Sequence, residues 1–186
     1  MFALLAFPAM LTLSPLAADR LFVSPMGEPF LGDKANPPAL AWFEGADADK
    51  DGRLSIYEFE DDAQRFFKTL DTDKSGEIDP QENERYEILI QQSISDAGGR
   101  SGRGMDRSVN GPDSLDGAPK GNSQYVRRGG ASAYNWLGIP QPVMSADANF
   151  NRGVTAQEFD KAAITRFRLL DTDGDGMLDK SELPKV

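Results

Sequence analysis

Oxygen-bearing side chains recur at fixed intervals in four twelve-residue segments, which we number loops 1 to 4. They read DADKDGRLSIYE at 47–58, DTDKSGEIDPQE at 71–82, DANFNRGVTAQE at 147–158 and DTDGDGMLDKSE at 171–182. Each loop begins with Asp, ends with Glu and has an apolar residue at its eighth position. Acids at positions 1, 3 and 5 would repel one another without a cation, so the pattern predicts metal binding.

The ligand types suit calcium, a hard cation that takes about six to eight oxygens. Positions 1, 3 and 5 would supply side-chain oxygens, position 7 a backbone carbonyl, position 9 a direct or water-mediated ligand and position 12 both oxygens of Glu. Position 6 favours glycine, which adopts positive φ without strain. The chain has no Cys and no His, which disfavours zinc, copper and iron–sulfur sites and excludes catalytic triads built on those residues.

Three loops have the full ligand set and predict three calcium sites. The predicted metal residues are Asp47, Asp49, Asp51, Arg53 and Glu58 in loop 1, Asp71, Asp73, Ser75, Glu77, Asp79 and Glu82 in loop 2, and Asp171, Asp173, Asp175, Met177, Asp179 and Glu182 in loop 4. The position-7 residues Arg53, Glu77 and Met177 would act through their backbone carbonyls. Loops 1 and 2 each have four acids at ligand positions and loop 4 has five.

Loop 3 departs from this pattern and is predicted to be a weak or vestigial site, a possible fourth. Its ligand positions hold Asp147, Asn149, Asn151, Gly153 and Glu158. Two carboxylates offset the dehydration of a divalent ion less well than four do. Arg152 stands at the sharp turn, where it adds a positive charge and costs about 1 kcal/mol of backbone strain. The remaining task of the loop would be to pair with another loop through Val154.

Positions 9 and 12 also have a purely structural interpretation. Pairs such as Ser55 with Glu58 and Thr155 with Glu158 are typical of the capping box at a helix N-terminus. Capping does not explain the acids at positions 1, 3 and 5, so we predict that positions 9 and 12 serve both purposes.

The loops resemble the calcium-binding loops of the EF-hand family. That resemblance implies a mainly helical protein in which position 8 of one loop forms a short strand pair with a second loop. The sequence contains no nucleophile–base constellation, so we predict no catalytic site and no organic cofactor. The predicted fold class is all-α, with four EF-hand-type loops in two duplicated units that share short central helices, joined by a long flexible linker.

An internal repeat sets the domain organisation, because residues 46–82 match residues 146–182 at a constant offset of 100. The predicted divisions are a signal peptide at 1–18, an extended segment at 19–36, unit 1 at 37–96, a Gly/Ser-rich linker at 97–133 and unit 2 at 134–186. Prolines at 140 and 142 argue against a helix entering loop 3.

The spacing of the loops predicts which of them meet. Loops 1 and 2 start 24 residues apart, as do loops 3 and 4, which leaves room for one helix of about 18 Å between the loops of each pair. Loops at opposite ends of one helix cannot pair. Antiparallel packing of the two helices, through stripes that include Phe59, Phe67, Phe159 and Phe167, would join loop 1 to loop 4 and loop 2 to loop 3.

The short spacing also resembles that of the lanmodulin family of periplasmic rare-earth-binding proteins. Those loops have proline at position 2, where this chain has Ala48, Thr72, Ala148 and Thr172, so the resemblance covers spacing and loop type only. Acids at position 9, Asp79 and Asp179, suit a trivalent ion. Rare-earth binding is therefore the alternative prediction.

The formal charge of −10 disfavours nucleic acid as a partner and suits cations. The apolar N-terminus resembles a secretory signal peptide and predicts a periplasmic or secreted protein; Pro8 and Pro15 argue against a membrane span. We predict calcium binding by an exported, non-enzymatic protein that acts as a sensor, a buffer or a calcium-stabilised adaptor. The sequence leaves a protein target open.

Overall fold

The computed structural model describes residues 20–98 and 130–183, and its first element is a β-hairpin. Strand β1 (Arg20–Val23) pairs antiparallel with β2 (Pro29–Gly32) inside the segment predicted to be extended. Gly27 lies in the connecting turn with φ of 110°, a conformation that favours glycine. The predicted signal peptide lies outside the described residues.

Helices form most of the regular structure, and short strands accompany them. The helices are α1 (Pro38–Ala46), α2 (Ile56–Leu70), α3 (Pro80–Gly98) and α4 (Ala156–Leu170). The remaining strands are β3 (Arg53–Ser55), β4 (Glu77–Ile78), β5 (Val154–Thr155) and β6 (Met177–Asp179). The all-α prediction was therefore too narrow, because the N-terminal segment closes into a hairpin and the loops pair through backbone hydrogen bonds.

Helices α2 and α4 begin and end at metal-loop residues. At the start of α2, the Ser55 amide donates to Glu58 Oε2 at 2.9 Å and the Glu58 amide donates to Ser55 Oγ at 3.3 Å, a complete capping box. Thr155 and Glu158 form the same box on α4. Each helix ends where the first Asp of the next loop donates its amide to a helix carbonyl, so the two loops determine the helix length.

The core lies between α2 and α4, which pack antiparallel. Phe59 near the start of α2 packs edge-to-face against Phe167 near the end of α4, and Phe67 packs in a tilted arrangement against Phe159, each pair with ring centroids 5.6 Å apart. All four rings are buried, which confirms the prediction that these stripes form the core. Trp42 of α1 also packs edge-on against Phe59.

The loops pair across the two halves of the chain, as predicted. Strand β3 of loop 1 pairs with β6 of loop 4, and β4 of loop 2 pairs with β5 of loop 3, both antiparallel. Leu54 lies opposite Leu178 and Ile78 lies opposite Val154, and all four side chains are buried. The antiparallel helices bring opposite ends of the two repeats together, so each pair combines one loop from each half.

The segment before loop 3 differs from its counterpart before loop 1. A short 3₁₀ helix, Met144–Ala146, takes the place of an entering α-helix, in agreement with the prolines that precede it. Arg166 of α4 fixes this segment by donating to Pro142 O at 2.7 Å and to Ser145 Oγ at 2.8 Å. Its side chain also donates to Pro25 O, which ties the hairpin to α4.

Most of the predicted linker, residues 99–129, lies outside the described residues. Its described ends are regular: α3 continues to Gly98, and residues 130–133 form a 3₁₀ helix that includes buried Ala131.

Candidate metal centre

The four loops share one backbone shape. Position 4 has φ between 60° and 74° and position 6 has φ between 75° and 86° in every loop. Arg152 takes this conformation at position 6 of loop 3, where the other loops have glycine, so the expected strain is present. Loop 3 has kept the geometry of a metal loop despite its different side chains.

The first Asp of each loop is held by the turn that follows it. Its Oδ2 accepts a hydrogen bond from the amide of position 6 at 2.9 to 3.0 Å in all four loops. This contact directs the carboxylate into the concave side of the loop, where positions 3 and 12 also lie.

The final Glu of each loop returns to the beginning of the same loop. In loop 1, Glu58 Oε1 accepts from the amides of Ala48 and Asp49 at 3.0 and 3.3 Å. Burial acts to raise the pKa of Glu58, but hydrogen bonds from the Ser55 amide and hydroxyl outweigh burial and hold that pKa below its usual range. The carboxylate is therefore charged at neutral pH and suited to a cation.

Three groups of carboxylates meet within the described residues. In each group, oxygens of positions 1, 3 and 12 lie within 4.8 Å of one another. The groups are Asp47 with Asp49 and Glu58, Asp71 with Asp73 and Glu82, and Asp171 with Asp173 and Glu182. They are the first, third and last predicted ligands of loops 1, 2 and 4.

The other predicted side-chain ligands face the backbone instead. Asp51 Oδ1 and Asp175 Oδ1 at position 5 accept from the amides of position 7 at 2.8 and 2.9 Å. At position 9, Asp79 Oδ1 and Asp179 Oδ1 accept amides of the turn that follows, which is the capping role expected of them. Ser75 Oγ at position 5 of loop 2 donates to the carbonyl of Glu77.

One oxygen in loop 1 directly favours a bound cation. Asp47 is only 6% exposed, and its Oδ1 is buried without a hydrogen-bond partner among residues 20–98 and 130–183. A buried charged oxygen without a partner is costly, and a cation in the loop would supply the missing partner. The residues of loop 1 thus fit a metal ion in three respects: their carboxylates converge, they are negatively charged, and one buried carboxylate oxygen has no hydrogen-bond partner among the described residues.

Loop 3 arranges its oxygens in the same way with less charge. Asn149 Nδ2 donates to Glu158 Oε1 at 2.9 Å, and Asn151 Oδ1 accepts from the Gly153 amide at 2.9 Å. Hydrogen bonds from the Thr155 amide and hydroxyl lower the pKa of Glu158. Asp147 Oδ1 is buried and has no hydrogen-bond partner in the described part of the chain, like the corresponding oxygen of Asp47.

Two side chains cross from one loop to the paired loop, and sequence reasoning assigned neither of them this role. Arg53, at position 7 of loop 1, forms an ion pair with Asp175 of loop 4. Glu77, at position 7 of loop 2, lies against Gly153 of loop 3, where a Cβ would overlap Glu77 Oε1. The strand pairing brings these residues together, and the sequence by itself does not show that pairing in detail. The one feature of the sequence that could have suggested these contacts is the charged side chain at position 7 of loops 1 and 2.

A family model described as EF hand matches residues 41–61, 63–82 and 164–186. These matches support an EF-hand calcium-binding family. The matched segments contain loops 1, 2 and 4 and omit loop 3, in agreement with the three carboxylate groups. No curated protein and no solved structure matches the chain. Among the described helices, none combines the length and apolarity needed to span a bilayer.

Proposed function

We propose that this protein binds calcium ions through loops 1, 2 and 4. The observation that carries the proposal is the convergence of three carboxylates in each of these loops, on a backbone with the same two positive-φ positions. The acids belong to the types and positions that calcium prefers, and the protein offers no thiolate or imidazole to a softer metal.

Calcium would act here mainly as a stabiliser of the contact between the two halves. Each strand pair joins a loop from one half to a loop from the other, so a bound ion stiffens a structure that both halves share. Three ions would change the formal charge from −10 to −4 and relieve repulsion among the loop acids.

Of the three predicted roles, a sensor would need α2 and α4 to separate when calcium binds, whereas a buffer or a calcium-stabilised adaptor would not. A sensor exposes an apolar groove when calcium binds. Here the stripes of α2 and α4 already bury each other, and the hydrophobic residues at position 8 are buried in the strand pairs. Binding of an apolar dye with and without calcium tests this role, and a large calcium-dependent increase would favour the sensor.

Export of the protein remains part of the proposal and rests on residues 1–18 of the sequence. Extracellular calcium-binding modules have Kd values of about 10⁻⁴ to 10⁻³ M, so weak loops would suffice in an exported protein. N-terminal sequencing of protein recovered outside the cytoplasm would show whether the chain begins at Ala18 or Asp19.

Rare-earth binding is the second candidate function. Loop 4 has five acids at ligand positions, including Asp179 at position 9, and loop 2 has Asp79 at the same place. Higher ligand charge favours a trivalent ion over a divalent one.

Calorimetric titration of the metal-stripped protein with calcium, and separately with lanthanum, tests both candidates. We expect calcium to fill three strong sites, and Asp49→Asn, Asp73→Asn and Asp173→Asn each to weaken one of them. Asp61→Asn, at an exposed acid of α2, is the matched control and should leave all three unchanged. Tight lanthanum binding without calcium binding would replace the first candidate with the second.

A further inference from the structure

We propose that Arg53 of loop 1 is a specificity-determining residue for the paired loop 4. Its guanidinium holds one carboxylate of loop 4 and lowers the negative charge there, which favours a divalent ion over a trivalent one. This inference rests on the proposed binding of calcium by loop 4 and concerns a side chain that lies outside that loop in the sequence.

The pairing of loops 1 and 4 places Arg53 beside two acids of loop 4. In the register of β3 and β6, Arg53 lies opposite Asp179, the residue at position 9. Its guanidinium forms an ion pair with Asp175 Oδ2, at position 5. Hydrogen bonds from Ser181 are the main cause of the lowered pKa of Asp179, and the charge of Arg53 contributes to it. Arg53 therefore acts on two of the acids at ligand positions in loop 4.

The two oxygens of Asp175 are both engaged. Oδ1 accepts from the Met177 amide at 2.9 Å, and Oδ2 accepts from Arg53. In loop 1, Oδ1 of the equivalent Asp51 accepts the amide of position 7 in the same way, but Oδ2 has no hydrogen bond or ion pair within the described residues. Arg53 thus takes the oxygen of Asp175 that the backbone of loop 4 leaves free, and this carboxylate lies outside the group of three that converges there.

The charge of loop 4 explains why one cation matters there. Loop 4 has five acids at ligand positions, whereas loops 1 and 2 have four each, and the +1 of Arg53 added to the −5 of loop 4 gives −4. Lys180, the one base within loop 4, is directed to α1 instead, with its Nζ 3.4 Å from Glu44 Oε1 and 6.0 Å from the centre of the Phe43 ring. Among residues 20–98 and 130–183, Arg53 is the one basic side chain in an ion pair with an acid of loop 4.

The effect of Arg53 should depend on the charge of the ion. Coulomb energy is proportional to that charge, so a guanidinium opposes a trivalent ion about 1.5 times as strongly as a divalent one. The ion pair is partly exposed, with 44% of the Arg53 side chain and 38% of the Asp175 side chain accessible, so solvent screening keeps the effect modest. Removing the charge should raise the affinity of loop 4 by about 2- to 10-fold for calcium and about 3- to 30-fold for lanthanum, an increase of about 1.5- to 3-fold in its preference for lanthanum.

The test is a competition between the two ions in the full chain, followed by ¹⁵N NMR. Lanthanum is added to the calcium-saturated unmodified protein and to Arg53→Gln, and the Gly176 amide reports which ion loop 4 holds. That amide donates to Asp171 Oδ2 at 3.0 Å, inside loop 4. The Gly52 amide, which donates to Asp47 Oδ2 at 2.9 Å, is the same reporter in loop 1. Calcium titrations against a chelator, read at the same two amides, give the affinity of each loop.

We expect the larger change at the Gly176 amide, because the Arg53 guanidinium contacts a carboxylate of loop 4 and none of loop 1 within the described part of the chain. Arg53→Gln keeps the backbone carbonyl that position 7 offers to loop 1, so the Gly52 amide should report a smaller change. Arg53→Lys keeps the positive charge and should keep the ion preference of the unmodified protein.

Arg168→Gln is the matched control for a general effect of charge. Arg168 is exposed in the last turn of α4, three positions before loop 4. Its side chain forms no hydrogen bond or ion pair with any described residue. The same loss of charge at this position should therefore change the ion preference of loop 4 less than Arg53→Gln does.

Three results would overturn the role of Arg53. They are equal changes in affinity for calcium and lanthanum, equal effects of Arg53→Gln and Arg168→Gln, and a lower affinity of loop 4 in Arg53→Gln, which would show that the side chain supports the loop instead of opposing the ion. If no amide of loops 1, 2 and 4 responded to either ion in the unmodified protein, the proposed function itself would fail, which is a different result.

Discussion

The contact between Phe59 of α2 and Phe167 of α4 yields a sharp test of how the two halves assemble. The two rings lie 5.6 Å apart with an interplanar angle of 75°, an edge-to-face arrangement, and both are about 2% exposed. Changing each to leucine keeps an apolar side chain but removes the ring pair. Such pairs contribute about 0.5–1.5 kcal/mol beyond the area that they bury.

The assay is a double-mutant cycle in urea, followed by circular dichroism, on Phe59→Leu, Phe167→Leu and the double variant. Each single change should reduce the free energy of unfolding by about 1–3 kcal/mol, as is usual for a buried position. The double variant should lose less than the sum of the two, by a coupling energy of about 0.5–1.5 kcal/mol.

The control cycle pairs Phe167→Leu with Tyr57→Leu, because Tyr57 is on α2 but 76% exposed. That pair should be additive to within about 0.3–0.5 kcal/mol. If the Phe59 and Phe167 changes were also additive, the rings would not be in contact. The antiparallel packing of α2 on α4, and with it the pairing of loop 1 with loop 4, would then be wrong.

Four further substitutions test local features of the fold. Ser55→Ala removes the capping box of α2 and should cost about 1 kcal/mol of stability in urea unfolding without metal; Thr155→Ala on α4 should cost about the same. Tyr86→Phe leaves the buried Gly27 carbonyl without its 2.9 Å hydrogen bond and should cost about 1–3 kcal/mol. Burial raises the pKa of Tyr86 above its usual value, against the weaker lowering effect of Arg166, so the unmodified protein should lose stability as pH rises above about 10, and the Tyr86→Phe variant should lose less. Arg152→Gly relieves the positive φ of loop 3 and should raise stability without metal by up to about 1 kcal/mol, seen as a higher urea midpoint with an unchanged slope.

Arg166 shows how a repeat can diverge inside the core. The corresponding residue of the first half is Phe66, and both side chains are buried. Arg166 is 4% exposed, and its guanidinium donates to two backbone carbonyls and a hydroxyl among the described residues. Burial lowers the pKa of Arg166 to about 10. It holds the proline-containing segment that replaces an entering helix, so the substitution follows from the missing helix.

Local sequence patterns were sufficient to predict the loops and the helices between them. The ligand spacing depends on residues within twelve positions of one another, and the capping boxes depend on residues three apart. The pairing of loop 1 with loop 4 also followed from the short spacing between consecutive loops. Loops 1 and 2 lie at opposite ends of one helix and cannot meet, so each must pair with a loop of the other half.

The contacts between the paired loops were decided by the tertiary structure alone. Two such contacts depend on the register of the short strand pairs and on the packing of α2 against α4. They are the contact of Glu77 with Gly153 and the ion pair of Arg53 with Asp175. The N-terminal hairpin likewise depends on tertiary contacts, because Leu21, Phe22 and Val23 are buried against the core. The sequence of this segment alone does not predict that burial. Ligand chemistry is encoded within each loop, whereas the charge that surrounds a loop comes from its partner, many residues away in the chain.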